Sequence, residues 1–151
     1  MSKINATMFT VGENIQRLDH NEIFVFGSND QGYHGAGAAR VAREKFNAKM
    51  GKGIGFCSKQ SYGIPTVLWK KQRKRASLEY IAHYIDKFYL DAQKNPKLKF
   101  LVTQIGCGLS GYTKENIIPL FKNFFFESLD NVFFPIEWFE IVDKEYINKK
   151  E

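Results

Sequence analysis

The chain reads as an α/β domain: a mixed, mostly parallel sheet with helices on both faces. Three observations lead there. Two unbroken apolar runs, Ile23-Phe24-Val25-Phe26 and Phe100-Leu101-Val102, have the composition of strands covered on both faces. Each runs on into a glycine-rich polar turn, at 28–35 and 106–111. Between them Leu78, Ile81, Ala82, Ile85, Tyr89 and Ala92 recur at helical spacing. Strands alternating with helices give a sheet whose parallel strands are joined by crossovers.

Taken in order, Met8-Phe9-Thr10-Val11 predicts a short first strand ended by Gly12, and 15–21 a polar loop. A strand follows at 23–27 and a loop at 28–35. The small residues from Ala36 then open a helix to about 48, with Ala38, Val41, Ala42 and Phe46 at helical spacing. Gly51, Gly53 and Gly55 break it. Phe56-Cys57 and 62–68 read as two strands. Pro65 lacks a ladder donor, which puts the second at an edge or puts Pro65 at its end. Ser77 is a good N-cap for a helix that Asn95-Pro96 stops. The strand at 100–105 is next. A helix over 116–128, capped by Asn116 with Pro119 in its first turn, leads to a last strand at 134–142. The tail from Asp143 reads as a short or frayed helix. The runs at 23–27 and 100–105 should be the central strands.

Composition narrows the function classes. At 151 residues the chain suits one domain with its own core. It is 44% hydrophobic and 25% charged, and no run approaches the ~18 apolar residues of a membrane span. The first twenty residues lack the apolar centre of a signal peptide. Only two cysteines occur, Cys57 and Cys107, without metal-type spacing. A reduced, cytoplasmic protein is expected, in which the sequon Asn5-Ala6-Thr7 has no role. Nothing in the pattern specifies an oligomer.

The net charge of +6, from 22 Lys+Arg against 16 Asp+Glu, favours an anionic partner. Much of the surplus lies in Lys70-Lys71-Gln72-Arg73-Lys74-Arg75. With Trp69 its one neighbouring aromatic, this run reads as a solvated loop, dispensable for ligand binding, and nucleic acid is not an expected partner.

The glycine turns carry the chemistry. Strand, glycine loop and helix start together aim free N–H groups and a positive dipole end at an anion. The dinucleotide fingerprint fails, because Arg40 stands where Gly or Ala is needed, and no Gly-Lys-Ser/Thr closes a phosphate loop. Both turns fall at strand carboxyl ends, where open α/β sheets bind ligands. His34 and Cys107 admit two readings each. His34 is either a base, since histidine is the side chain suited to proton transfer at neutral pH, or a solvated loop residue. Cys107 is a nucleophile or, with no His or Asn near it in sequence, a structural thiol, the favoured reading. No carboxylate–histidine cluster suggests a metal or another cofactor.

With both turns in view, the chain resembles a macrodomain, the ADP-ribose-binding fold, in its terminal ADP-ribose protein glycohydrolase branch. The matching stretches are GSNDQGYHGAGAA at 27–39, SYGIPT at 61–66 and FLVTQIGCGLSGY at 100–112 followed by TKENI, together covering roughly 23–125. The resemblance implies a macrodomain-like three-layer sandwich over 1–151. It implies that Ser28, Asn29, Gly35, Ala36 and Gly37 hold the ligand from one side. Ile105, Gly106, Cys107, Gly108, Leu109, Ser110, Gly111 and Tyr112 would hold it from the other. The backbone at 35–37 and 106–111 would wrap the pyrophosphate and distal ribose, with Asn29 near that ribose and Tyr112 either flanking it or in the core. The implied activity is hydrolysis of an ADP-ribosyl adduct or an ADP-ribose phosphate monoester; the alternative is ADP-ribose binding without turnover.

Two departures bear on this. The branch carries an acidic residue after GCGL, where this chain has Ser110. It also uses a lysine soon after the strand matching 62–66, where this chain has Val67, with Lys70 and Lys71 only later. A lysine adduct is therefore not expected. If turnover occurs, Asn29 would orient the ribose or a water and His34 would act as acid or base.

Overall fold

A computed structural model of the chain describes residues 6–108, 110–127 and 129–147. Its central strand is β1 (Glu22–Asn29). Side chains alternate across a strand, so β1 has two apolar faces. Phe24 and Phe26 pack with Ala39, Ala42 and Phe46 of helix α1 (Gly37–Phe46). Ile23 and Val25 join a larger core with Ile81, Ile85, Phe88 and Ala92 of helix α2 (Leu78–Lys94). The unbroken apolar run follows from this: helices cover both faces of the strand. As expected, Ser77 caps α2, its hydroxyl accepting the Tyr80 N–H at 3.1 Å.

Four more strands lie along the sheet: β2 (Gly55–Ser58), β3 (Ser61–Leu68), β5 (Lys99–Val102) and β6 (Val132–Phe133). Their order with β1 is β2-β3-β1-β5-β6, and β4 (Lys74–Arg75) pairs separately with β3. β3 and β5 run parallel to β1, and β6 parallel to β5, while β2 and β4 are antiparallel to β3. Val25 lies opposite Tyr62 on one side and Val102 on the other. Both apolar runs are thus interior strands.

Six local expectations give way to tertiary context. β3 is not an edge strand: β2 pairs as far as Gly63 and β4 from Val67, so Pro65 sits in the gap, where its missing N–H breaks no outer ladder. The last two residues of the basic run fold back as β4, making 67–75 a hairpin rather than an open loop. β5 stops at Val102, although Thr103 still gives its N–H (3.1 Å) and hydroxyl (2.7 Å) to the Val25 carbonyl.

The helix expected over 116–128 is three pieces: α3 (Lys114–Ile117), a 3-10 turn (Ile118–Phe121) holding Pro119 near its start, and α4 (Lys122–Phe126). Its cap is Thr113, which exchanges side-chain and backbone bonds with Asn116 in a capping box. The strand expected at 134–142 is instead β6 followed by helix α5 (Trp138–Val142). Pro135 cannot donate to a ladder, and Trp138 and Val142 are fully buried while Glu140 between them is exposed; a strand would put all three on one face, whereas a helix separates them. Residues 143–147 continue as a π-type turn. The first strand reduces to a 3-10 turn (Ala6–Met8) and one bridge between Val11 and Pro135. Among the described residues, no helix is long and apolar enough to cross a membrane.

Candidate functional site

Because β1 and β5 are parallel neighbours, the two glycine turns leave the sheet from the same side. Between them lies a cavity of about 450 Å³, a size suited to a small-molecule ligand. It has three walls.

The first wall runs from Gly27 through Asn29, Tyr33 and Gly35 to Ala39. Asn29 shapes it. Its Oδ1 accepts the N–H groups of Gln31 (3.2 Å) and Tyr33 (2.9 Å), and its Nδ2 donates to the Tyr33 carbonyl at 2.7 Å. Ser28 directs its hydroxyl inward to the Gly53 carbonyl. Helix α1 then starts at the cavity. Ala36 is extended and no side chain caps it, while Gly37 turns the chain with φ +59, a conformation that favours glycine. The first N–H groups of a ten-residue helix therefore lack a side-chain partner beside the cavity. A Cβ at Gly35 or Gly37 would meet nothing within 4 Å.

The second wall is Gln104, Gly106, Gly108 and Ser110. Gly106 has φ +75, and a Cβ there would come within 2.8 Å of the Ile117 side chain, so glycine is required. Its carbonyl accepts the Tyr112 N–H at 2.9 Å and the Ser110 hydroxyl at 2.5 Å. Ser110, at the position where the resemblance expects an acid, thus ties its own loop together.

The third wall is the hairpin: Thr66, Val67, Trp69 and Arg73. The Trp69 N–H donates to Asp30 Oδ1 at 2.6 Å, holding the hairpin to the end of β1. Tyr33 and Trp69 have ring centroids 5.2 Å apart, tilted by 53°, and the Arg73 guanidinium carbon lies 5.9 Å from the Trp69 ring. The run expected to be a solvated loop thus comes in part to the cavity. Pairing of β4 with β3 brings Arg73 to the cavity, the one formally charged side chain among its described lining residues.

Of the expected site residues, the structure gathers Ser28, Asn29, Gly35, Ala36, Gly37, Gly106, Gly108 and Ser110 around this cavity. The others stand elsewhere. His34 is fully buried against Phe26, with its Nε2 3.0 Å from the Lys49 carbonyl and 2.9 Å from that of Lys52. Two acceptors require Nε2 to carry the hydrogen, and the buried Nδ1 has no hydrogen-bond partner among the described residues. The ring of His34, expected as acid or base, is closed off in packing and does not line the cavity.

Ile105 is core, 1% exposed. Cys107 is partly buried beside the same core, its thiol directed at the Ile105 carbonyl at 3.5 Å. Burial, with the charge of Glu115, holds that thiol above its ordinary pKa, against the smaller opposing pull of Lys114. Both properties fit a structural thiol. Tyr112 faces the hairpin rather than the cavity, and Gly111 is an exposed turn residue with φ +79. Leu109 lies outside the described residues. Tyr33, Trp69, Arg73 and Gln104 were not anticipated; the run 69–75 was visible, but not the pairing that swings it over the site.

A second cavity, of about 430 Å³, adjoins the first and shares Ala38 and Gln104 with it. It opens between residues 11–16, the outer side of α1 and Glu137. Among the described residues, no three His, Cys, Asp or Glu side chains are grouped to hold a metal ion. No protein-family model matches the chain, and no curated protein matches it either.

Proposed function

We propose that this cleft binds ADP-ribose or a close derivative. The observation that carries the reading is the convergence of both glycine turns and the uncapped start of α1 on one cavity. Backbone N–H groups and a positive helix end suit a pyrophosphate, which glycines let approach closely. Arg73 adds a cation at the rim, and the adjoining second cavity supplies length for a ligand with a sugar on each side of its diphosphate.

Binding without turnover is the favoured form of this reading. Among the described residues lining the cavity there is no carboxylate, histidine or lysine to move a proton. Asn29 has one uncommitted side-chain hydrogen, enough to orient a ribose hydroxyl or a water. Hydrolysis of an ADP-ribosyl adduct or an ADP-ribose phosphate monoester is the second reading, favoured by that hydrogen and by the N–H groups that would hold developing negative charge.

Calorimetric titration with ADP-ribose, against AMP and ribose 5-phosphate, tests the binding. ADP-ribose should bind more tightly than either fragment, and equal or absent binding would overturn the proposal. Incubation with ADP-ribosylated protein and with the phosphate monoester then separates the two forms, since release of ADP-ribose would establish the hydrolase.

A further inference from the structure

The hairpin that forms the third wall of the cleft also carries four cations, Lys70, Lys71, Lys74 and Arg75, that do not line the cavity. Lys70, Lys71, Arg73, Lys74 and Arg75 are all exposed, and none of them is ion-paired among the described residues. Lys70, Lys71 and Lys74 surround one hollow together with Asp30. The Asp30 carboxylate accepts hydrogen bonds from the Trp69 N–H and the Gln31 side chain. At the hairpin's start Trp69 is 39% exposed, and the fold sets Tyr33, 48% exposed, beside it from a different loop. Large aromatic side chains left this open beside a cationic surface suit an occupant with both charge and flat apolar faces.

We propose that the 67–75 hairpin, together with Tyr33, is a docking surface for single-stranded nucleic acid. Two features select this partner. Lysines and arginines on one projecting element complement a phosphate backbone. Half-open aromatic rings next to them provide what unpaired bases stack on. An acidic peptide would satisfy the cations but leave the rings unused. The sequence alone argued against this partner because the run has one adjacent aromatic; tertiary structure supplies the second. Because Tyr33, Trp69 and Arg73 also line the cleft, binding is measured without ADP-ribose present.

The test is fluorescence anisotropy with labelled oligo(dT) of about twelve nucleotides, a length that single-strand sites accommodate, at roughly 50 and 200 mM salt. Tryptophan emission is recorded in parallel. Binding should weaken as salt rises. In the Lys70→Gln, Lys71→Gln, Lys74→Gln triple variant the log–log slope should be shallower by ~0.7 for each phosphate no longer neutralised. Trp69→Ala should weaken binding by roughly 5- to 150-fold. The oligonucleotide should quench wild-type emission but not that of Trp69→Ala, because the other tryptophan, Trp138, is fully buried. The Trp69 backbone N–H that anchors the hairpin survives that substitution, and circular dichroism checks the fold. No binding at low salt would overturn the proposal. So would wild-type affinity in both Trp69→Ala and Tyr33→Ala. Polyglutamate displacing the oligonucleotide at equal charge concentration would instead establish an acidic protein partner.

Discussion

The guanidinium carbon of Arg75 lies 4.2 Å from the centroid of the Tyr112 ring, and the Tyr112 hydroxyl donates to the Ala76 carbonyl at 2.6 Å. One side chain thus fastens the second glycine loop to the base of the hairpin. Two walls of the cleft are joined by it, although the ring itself does not line the cavity. Tyr112→Phe keeps the cation over the ring and loses one hydrogen bond. It should cost about 0.5–1.5 kcal/mol in urea unfolding and leave ADP-ribose affinity unchanged. Lost affinity at full stability would place the hydroxyl on the ligand instead.

Gly35 and Gly37 separate a ligand effect from a backbone effect. A Cβ at either finds open space, but only Gly37 has positive φ. Valine at either position should lower ADP-ribose affinity by roughly tenfold or more, about 1.4 kcal/mol. Only Gly37→Val should also destabilise the fold, by about 1–3 kcal/mol for a branched residue in that region. Calorimetry and urea unfolding on both variants check the contrast.

Removing His34 should act on stability rather than on the ligand. His34→Ala strips a donor from the Lys49 and Lys52 carbonyls and leaves a void beside Phe26. The expected loss is about 2–4 kcal/mol in urea unfolding, with ADP-ribose affinity of the folded protein unchanged. Full stability with lost binding or turnover would return this residue to the site.

The basic hairpin should divide in its effect on ADP-ribose. Arg73 lines the cavity, whereas Lys70 and Lys71 do not. Arg73→Ala removes a charge-assisted contact worth about 1.5–3 kcal/mol, so titration should show affinity down by roughly 10- to 100-fold. Lys70→Gln with Lys71→Gln should leave it within about threefold, since exposed charges beyond ~10 Å are screened. Equal losses would mean that the whole hairpin closes on the ligand.

The two thiols should differ in reactivity and in their effect on alkaline stability. Burial pushes Cys57 from 9.0 to about 11, against smaller opposing pulls from the Gly63 backbone and Lys52. Its folded pKa is raised, so its contribution is fully present below about pH 9 and is lost as pH rises towards about 11. Urea unfolding across this range should fall less steeply for Cys57→Ala than for wild type. A disulfide reagent at neutral pH should modify half-buried Cys107 before Cys57, which is 1% exposed; the reverse order would contradict this burial.

What the sequence determined by itself was carried by its longest local patterns. Ile23 to Phe26 and Phe100 to Val102 are apolar on both faces, so they had to be interior strands. The stripe from Leu78 to Ala92, begun by Ser77, had to be a helix. Glycine turns at the ends of both strands marked the edge where the cavity lies. Tertiary structure decided what depends on which segments meet. The run at 134–142 became a helix because Pro135 cannot sustain a ladder and because only a helix buries Trp138 and Val142 while leaving Glu140 between them in solvent. His34 sits within a glycine-rich turn, yet two backbone carbonyls from 49 and 52 claim its ring. Arg73 lies in a run that reads as solvated. Two residues of β4 pairing bring it to the cleft, and hydrogen bonds between short segments far from the periodic elements leave no trace in hydrophobic spacing.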